Sequence, residues 1–354
     1  MSARIAVVGL NHGYSLAQAI RSCEEAELVG LCTRSPYHHR NKAEELKAPI
    51  FSDLESMLAE TAPDGVIIAA PTDQLVPIAK TCLAHHVNVL IEKPLGVSVA
   101  DVLELKYVCD ATDARVLVGY YRRLSRQVLE LKRLLASGVI GQVSGLCCKW
   151  VIYKPPEYFQ GWKAARARGG GCLMINVIHD FDLLQNLFGP IEAVAAMQTD
   201  TRPGDDLEHF LVINMHFRSG QLATATVSDQ CPSPYSYENT VAAAGRFPLY
   251  GADTHHFFGT RGSLAFPSFT VYASPSPHST WRDPLHRSVA SDANDTVDDP
   301  IALEVQRFIA VLRGRAQPHA TVEDALINLA VVEAIRRSLD TARTEPVRIG
   351  SLST

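Results

Sequence analysis

A lysine followed by a proline ends an apolar run in the segment Ile91-Glu92-Lys93-Pro94-Leu95. Residues 88–91 read as a parallel strand, and lysine is a poor residue for such a strand end unless a ligand or a reaction requires it. Pro94 fixes the local backbone and allows a cis peptide bond at modest cost, so it can aim the Lys93 ammonium group at one point. That group could donate to a substrate oxygen and, at a lowered pKa, exchange a proton with it. The plainer alternative is a lysine paired with Glu92.

A second group of polar residues lies in the segment 169–182, which begins with three glycines. Apolar residues at helical spacing predict the buried stripe of a helix: Val177, Phe181, Leu184 and Phe188. Asn176 and His179 lie on a different face, one turn apart, so an amide and an imidazole could contact one ligand. A histidine that only packs and hydrogen-bonds is the alternative. Cys172 is the one cysteine whose surroundings would suit a nucleophilic thiolate, given a nearby base or helix start.

The segment 150–163 is rich in aromatic and basic residues and leaves a strand for a loop. Such loops bind ring-like or anionic small molecules, and Lys154 or Arg166 would be available to a carboxylate. Aromatic side chains that cover the sheet or a subunit interface are the alternative. The residues that we expect to orient a substrate are Tyr121, Tyr153, Lys154, Trp162 and Asn176.

The first strand, turn and helix have the form of a dinucleotide-binding opening, in which glycine lets backbone N–H groups approach a pyrophosphate. Against the pattern G-x-G-x-x-G the chain has Gly9, Asn11 and Tyr14, with Gly13 one position early. Asn tolerates left-handed backbone conformations, and its amide or His12 could donate to phosphate. An ordinary strand-to-helix turn is the alternative.

The second strand ends in Cys32-Thr33-Arg34-Ser35, where NAD enzymes usually place an acidic residue against the ribose. Without that carboxylate, and with Arg34 available to a 2′-phosphate, NADP is the expected cofactor and NAD the alternative; Arg34 could also simply face solvent. The expected cofactor contacts are Gly9, Asn11, His12, Gly13, Thr33, Arg34, Ala70, Pro71, Glu92, Lys93 and Pro94.

In the first part of the chain, predicted strands and helices alternate, and these elements should position the residues described above. Short Val/Ile/Leu-rich runs predict strands buried on both faces of a parallel sheet, at 5–8, 28–32, 66–69, 88–91 and 116–118. Helical segments separate them, at 16–23, 40–46, 54–59, 75–85 and 99–109. The pattern predicts a doubly wound α/β domain over residues 1–121.

From residue 122 to 354 the pattern predicts an α+β domain built on one large sheet. A helix at 125–136 precedes strands at 143–153, 194–199, 210–217, 222–228, 239–243 and 263–266. Two helices at 301–313 and 322–342 close the chain, with Thr321 and Asp324 as capping residues of the second. The length of the segment 273–299 predicts a surface loop or a lid; a flexible segment without a function is the alternative.

Composition favours a small-molecule partner. The 33 basic and 38 acidic residues give a formal charge of -5 with no long run of one sign, so neither nucleic acid nor an anionic membrane surface is favoured. No apolar stretch approaches the roughly 18 residues of a spanning helix, and we expect a cytoplasmic protein. The eight cysteines lack C-x-x-C spacing, and neither His255-His256 nor Asp298-Asp299 has further partners at metal-like spacing, so no metal is expected.

Three motifs together carry a resemblance: Glu92-Lys93-Pro94, Gly119-Tyr120-Tyr121-Arg122-Arg123 and the segment 169–182. On these the chain resembles, nearly end to end, the glucose-fructose oxidoreductase, inositol dehydrogenase and MocA family. The resemblance implies a Rossmann domain and a second domain with a large, open, mainly antiparallel sheet for substrate binding and homo-oligomerisation, as a dimer or tetramer. It also implies tightly held NAD(P) and hydride transfer at a secondary alcohol of a sugar, sugar acid, polyol or cyclic diol.

Carried over to this chain, the resemblance implies that Lys93 is the catalytic lysine, that Pro94 is cis, and that His179 holds or deprotonates the reacting hydroxyl. Many relatives have an aspartate where this chain has Ile175, which leaves proton transfer to Lys93 and His179. Two alternatives stay open: a redox-neutral isomerase or glycosidase that uses a retained nicotinamide, and a catalytically idle NAD(P) or ligand sensor.

Overall fold

The first sheet is six-stranded and parallel, as the alternation of apolar runs predicts. The computed structural model describes residues 2–199, 206–241, 247–293 and 299–349. Its strands are β1 (Ala3–Val8), β2 (Ala26–Cys32), β3 (Ile50–Phe51), β4 (Gly65–Ile68), β5 (Asn88–Ile91) and β6 (Val116–Val118), in the order β3-β2-β1-β4-β5-β6. The helices are α1 (Gly13–Arg21), α2 (Arg40–Leu46), α3 (Leu54–Thr61), α4 (Thr72–Ala84) and α5 (Val99–Asp110). This confirms the Rossmann fold; only β3, two residues long, was too short to predict.

The second sheet is nine-stranded and antiparallel except where β7 runs parallel to β10. Its strands are β7 (Val143–Val151), β8 (Ile191–Gln198), β9 (Phe210–Phe217), β10 (Leu222–Ser228), β11 (His255–Gly259), β12 (Gly262–Phe266), β13 (Thr270–Ala273), β14 (His286–Val289) and β15 (Glu345–Pro346). The spatial order is β14-β13-β12-β11-β7-β10-β9-β8-β15. The remaining helices are α6 (Arg126–Ala136), α7 (Ile178–Phe188), α8 (Tyr237–Thr240), α9 (Pro300–Leu312) and α10 (Val322–Thr341).

One face of this sheet is buried and the other is open. Along β9 the residues Leu211, Ile213, Met215 and Phe217 are buried, whereas the side chains between them are exposed. Since successive side chains of a strand point to opposite faces, this alternation places one face of the sheet against the core and leaves the other face open at β9. This confirms the large open sheet, while a dimer or tetramer stays a prediction.

Two predictions for the second domain were wrong. The strand expected at 239–243 is instead the short helix α8 up to Thr240, because the Ser236 hydroxyl accepts from the Asn239 backbone N–H and starts a helix; residues 242–246 lie outside the described residues. The stretch 273–299 contains β14, which pairs with β13, so it is not wholly a loop; residues 294–298 also lie outside the described part. The short strands β11 and β13 were not predicted.

Helix α9 follows the second sheet in the chain but packs on the first domain. Its apolar residues Ile301, Val305 and Phe308 share one buried cluster with Ile5 and Leu16 of the Rossmann sheet and α1. The predicted domain limits, 1–121 and 122–354, stay a prediction, with α9 lying across them. Helix α10 begins with the predicted capping box of Thr321 and Asp324, which is confirmed.

Phe308 explains why position 65 is a glycine. A Cβ at Gly65 would lie 2.6 Å from Phe308 Cζ, so the ring fills the space beside β4 that a side chain would need.

Within the described ranges, no helix combines the length and the apolar character that a bilayer crossing requires.

We predict that Phe308→Ala lowers the free energy of unfolding by about 3–5 kcal/mol, because a fully buried ring is replaced by a cavity. Equilibrium denaturation followed by circular dichroism measures the loss. The matched control Gln306→Ala, at an exposed position of the same helix, should stay within about 0.5 kcal/mol of the unchanged protein. Equal stability of the two variants would contradict the packing of α9 on the first domain.

Candidate active site

A cavity of about 360 Å³ opens at the carboxyl ends of β1, β2 and β4, where the strand order of the Rossmann sheet reverses. Gly9 has φ +87°, and a Cβ there would collide with the carbonyl oxygen of Ala69. Gly13 is buried, and a Cβ there would lie 2.9 Å from Val7 Cγ1. Close packing therefore favours glycine at both positions, against backbone at Gly9 and against side chains at Gly13, although the spacing departs from the usual pattern.

The cavity has the donors that a dinucleotide needs. Helix α1 begins without a side-chain cap, so its first N–H groups stay available to an anion. Arg34 is exposed and, among the described residues, has no hydrogen-bond or ion-pair partner. Of the predicted cofactor contacts, those lining this cavity are Gly9, Asn11, Thr33, Arg34, Ala70 and Pro71.

His12, which follows the cavity-lining Asn11, forms a pair with Glu92. His12 Nε2 lies 3.0 Å from Glu92 Oε1, and the imidazole is half exposed whereas Glu92 is buried. Burial raises the pKa of Glu92, but the neighbouring His12 and Lys93 outweigh it and lower that pKa overall. The His12 ring is thus engaged with a carboxylate, and its predicted contact to phosphate stays a prediction.

Lys93 reaches from the end of β5 into the second domain. The Lys93–Pro94 peptide is cis, and Lys93 Nζ donates to the backbone carbonyl of Ile175 over 2.8 Å. That carbonyl belongs to a π-helical turn, Leu173–Val177, which precedes α7. Such turns frequently occur at functional sites. The acceptor for Lys93 at position 175 is thus a main-chain oxygen.

His179 lies on the first turn of α7 and is 3% exposed. Its ring meets those of Tyr120 and Tyr121 edge-on, at centroid distances of 5.9 and 4.9 Å. Burial, followed by the charges of Lys93 and Arg122, lowers the pKa of His179 well below its ordinary value. The imidazole is therefore neutral at neutral pH, and its Nδ1 has no hydrogen-bond partner among the described residues.

Lys154 joins the same region from the segment after β7. Its ammonium group donates to Asn176 Oδ1 and lies 4.1 Å from the centroid of the Tyr158 ring. The side chain is buried, and burial lowers the pKa of Lys154 to about 8. Arg166, the other cation considered for a carboxylate, is already held by Glu208 at 3.2 Å.

Two predicted substrate residues lie less centrally. Tyr153 is 53% exposed and forms an isolated bridge with Gln230, while its neighbour Lys154 points inward. Trp162 is partly buried in a 3₁₀ turn, Gly161–Ala164. Their contact with a substrate stays a prediction.

Two adjacent arginines hold α7 in place through ion pairs whose geometry the sequence did not reveal. Arg122, with no exposed surface, donates to Asp180 Oδ1 over 2.8 Å and lies 3.4 Å from Glu238 Oε1. Arg123 forms two bonds, of 2.6 and 2.8 Å, to the Asp182 carboxylate. Burial raises the pKa of Asp180 to about 6 despite its arginine. The sequence signals that could have indicated these ion pairs are the two consecutive arginines and the Asp-x-Asp spacing of Asp180 and Asp182.

A buried carboxyl group on α9 was also missed. Glu304 Oε1 and Glu92 Oε2 lie 3.0 and 3.1 Å from the point that a Cβ of Gly119 would occupy, so the two acids approach each other across that glycine. Burial and the charge of Glu92 raise the pKa of Glu304 well above its ordinary value. Its surroundings therefore favour the neutral, protonated form of Glu304.

The surroundings of Cys172 do not suit a nucleophilic thiolate. Cys172 is fully buried, its thiol donates to the Glu208 carbonyl over 3.0 Å, and burial raises its pKa well above the ordinary value. A buried, protonated thiol is a poor nucleophile. In the part of the chain that the structure describes, no three His, Cys, Asp or Glu side chains are grouped as metal ligands require.

Known proteins share this architecture. An inositol 2-dehydrogenase from Rhizobium meliloti is 23% identical over 96% of this chain and 97% of its own length. A 2,7-anhydro-N-acetylneuraminate hydratase from Escherichia coli is 26% identical over 62% of this chain and 59% of its own. The WlbA dehydrogenase from Bordetella pertussis, solved with NADH and UDP-GlcNAcA, superposes with a TM-score of 0.78 at 22% identity and covers 98% of this chain and 99% of its own.

Two family models match the two halves of the chain. Residues 3–120 match the oxidoreductase family with an NAD-binding Rossmann fold, and residues 128–265 match the GFO/IDH/MocA C-terminal domain. Together they cover the first sheet, most of the second, and two of the three motifs that carried the resemblance, Glu92-Lys93-Pro94 and the segment 169–182. The chain is therefore a member of the Gfo/Idh/MocA family of NAD-binding oxidoreductases.

Proposed function

We propose that this protein is a dehydrogenase that acts on a secondary alcohol of a sugar, sugar acid, polyol or cyclic diol. The observation that carries the proposal is that Lys93, from the Rossmann domain, contacts the turn that leads into His179 of the second domain. When bound, a nicotinamide supplies the hydride acceptor or donor. The cavity at the ends of β1, β2 and β4 fits such a cofactor in position and donors.

Lys93 and His179 divide the proton chemistry at the substrate hydroxyl. Burial lowers the pKa of Lys93, partly offset by Glu92, so its amine can exchange a proton under milder conditions than an exposed lysine. The neutral imidazole of His179 can accept a hydrogen bond from the same hydroxyl. Asn176 and Tyr121, which border these two groups, would orient the substrate.

The preference for NADP over NAD rests on Arg34 and Thr33. A guanidinium group without a protein partner, at the edge of the cavity, suits a 2′-phosphate, whereas no acidic side chain lines the described part of this cavity to hold a 2′-hydroxyl.

Lys93→Ala should lower kcat by about 10²–10⁴, because the variant loses the group that exchanges the hydroxyl proton. Cofactor binding, measured by calorimetry, should stay close to that of the unchanged protein. The assay uses the best substrate from a screen of sugars, sugar acids, inositols and cyclic dihydrodiols with both cofactors. Lys132→Ala, at an exposed position of α6, is the control. Near-normal turnover by the Lys93 variant would contradict the proposal.

Arg34→Ala should weaken NADP binding by about 10- to 100-fold, the range expected for a lost charge-assisted hydrogen bond, and leave NAD binding nearly unchanged. Titration calorimetry with the two cofactors measures both. Arg40→Ala, an exposed arginine at the start of α2, serves as the matched control. An equal loss for both cofactors, or tighter binding of NAD by the unchanged protein, would overturn the NADP preference.

A redox-neutral reaction is the second candidate, because one of the matched relatives is named a hydratase. In that case a retained nicotinamide would be reduced and reoxidised within one turnover. Protein purified without added cofactor should then convert the screened substrates with no accumulation of reduced nicotinamide. Stoichiometric formation of reduced cofactor with product would instead establish the dehydrogenase.

A further inference from the structure

Two ammonium groups in the site, a partly buried one on Lys93 and a buried one on Lys154, have no carboxylate partner among the described residues. Lys93 Nζ donates to the Ile175 carbonyl, and Lys154 Nζ donates to the Asn176 amide oxygen, so neutral acceptors hold both. No carboxylate of the described residues forms an ion pair with either group. The arginines nearby differ, since Arg122, Arg123 and Arg166 each contact a buried acid.

Two acids whose charges act on Lys154, Asp229 and Glu238, each have another partner. Asp229 Oδ1 lies 2.8 Å from His209 Nδ1, and Glu238 is bound by Arg122 and by the Trp150 indole N–H at 3.1 Å. Lys154 instead lies against the faces of Tyr158 and Trp150, with 5.4 Å to the latter centroid. A buried cation without a counter-ion is costly, and an anion that enters the site removes that cost.

We propose that the substrate carries a carboxylate, which Lys154 binds while Lys93 and His179 contact the reacting hydroxyl. This rests on the proposed function and narrows its alcohols to sugar acids. Because Lys93 and Lys154 contact consecutive residues, Ile175 and Asn176, the hydroxyl and the carboxylate are bound side by side. Asn176, released from Lys154, then becomes a donor or acceptor for the substrate.

A merely structural lysine would behave differently. A lysine that only ties its loop to the π-helical turn would, when replaced, change the binding of charged and neutral ligands alike. A lysine that binds a carboxylate changes the binding of acids alone. Ligands that are matched in carbon chain and differ in one carboxylate therefore separate the two roles.

The test uses the protein saturated with whichever nicotinamide cofactor it binds more tightly. Calorimetry compares D-gluconate with D-glucitol, D-galactonate with galactitol, D-glucuronate with D-glucose, and D-galacturonate with D-galactose. At least one acid should bind about 10- to 100-fold more tightly than its neutral partner, as expected for a charge-assisted bond. If no acid of the set exceeds its neutral partner, the proposal is wrong.

Three variants locate the effect. Lys154→Met should abolish the preference, so that the acid binds no more tightly than its neutral partner, whereas Lys154→Arg should keep the preference. Lys149→Met, on β7 against the Tyr235 ring, makes the same chemical change outside the site and should alter nothing. A Lys154→Met variant that retains the preference would assign the carboxylate to another residue and overturn the proposal.

The pH dependence supplies an independent readout. Since burial lowers the pKa of Lys154 to about 8, the ammonium form that binds an anion is present below that pH and is lost above it. The preference for the acid should fall as pH rises through this range, and Lys154→Arg should keep it to higher pH. The charged and titratable groups that face Lys154 are Asp229, Glu238, Cys172, Lys93, Tyr158 and, across the Tyr158 ring, Lys163.

Failure of this inference differs from failure of the proposed function. Turnover of neutral polyols and acids with equal efficiency would contradict the proposal that Lys154 binds a carboxylate, but would agree with the proposed dehydrogenase activity. An acid could instead bind tightly to the unchanged protein and weakly to Lys154→Met, with no turnover in the presence of either cofactor. That result would support the carboxylate site and contradict the dehydrogenase activity.

Discussion

The hydrogen bond from Lys93 to the Ile175 carbonyl joins the two domains at the point where chemistry is proposed. It links a lysine at the end of β5 to a carbonyl of the π-helical turn that precedes α7. The bond also fixes which polar groups lie near Lys93. The same turn carries Asn176 and leads to His179, so one irregular stretch of backbone presents an amide and an imidazole to one lysine.

Buried ion pairs hold that arrangement in place. Arg122 and Arg123 are consecutive, yet they pair with Asp180 and Asp182 on different sides of α7. Each pair buries charge, and removal of one partner from such a pair typically costs about 3–5 kcal/mol because the other charge is left uncompensated. The helix that bears His179 is thus fixed in rotation by its own polar residues, and apolar packing alone would fix it less tightly.

Local pattern explains which features could be predicted from the sequence. Continuous apolar runs predicted the Rossmann strands, and the Glu92-Lys93-Pro94 step with 169–182 pointed to two segments that contact each other through Lys93 and Ile175. The pairing of Arg122 with Glu238 and the approach of Glu304 to Glu92 join residues that are more than a hundred positions apart, and no periodicity encodes such contacts. The helix α8 was misread because a single serine cap outweighed the strand propensity of its neighbours.

The position of α9 has a consequence for biosynthesis. The apolar surface of the Rossmann sheet and α1 is completed by residues 300–312, which are translated after nearly the whole second sheet. The nascent first domain therefore leaves the ribosome with part of its core uncovered. Its final consolidation waits for a helix that follows most of the second sheet in the chain, so the two domains complete their folding together.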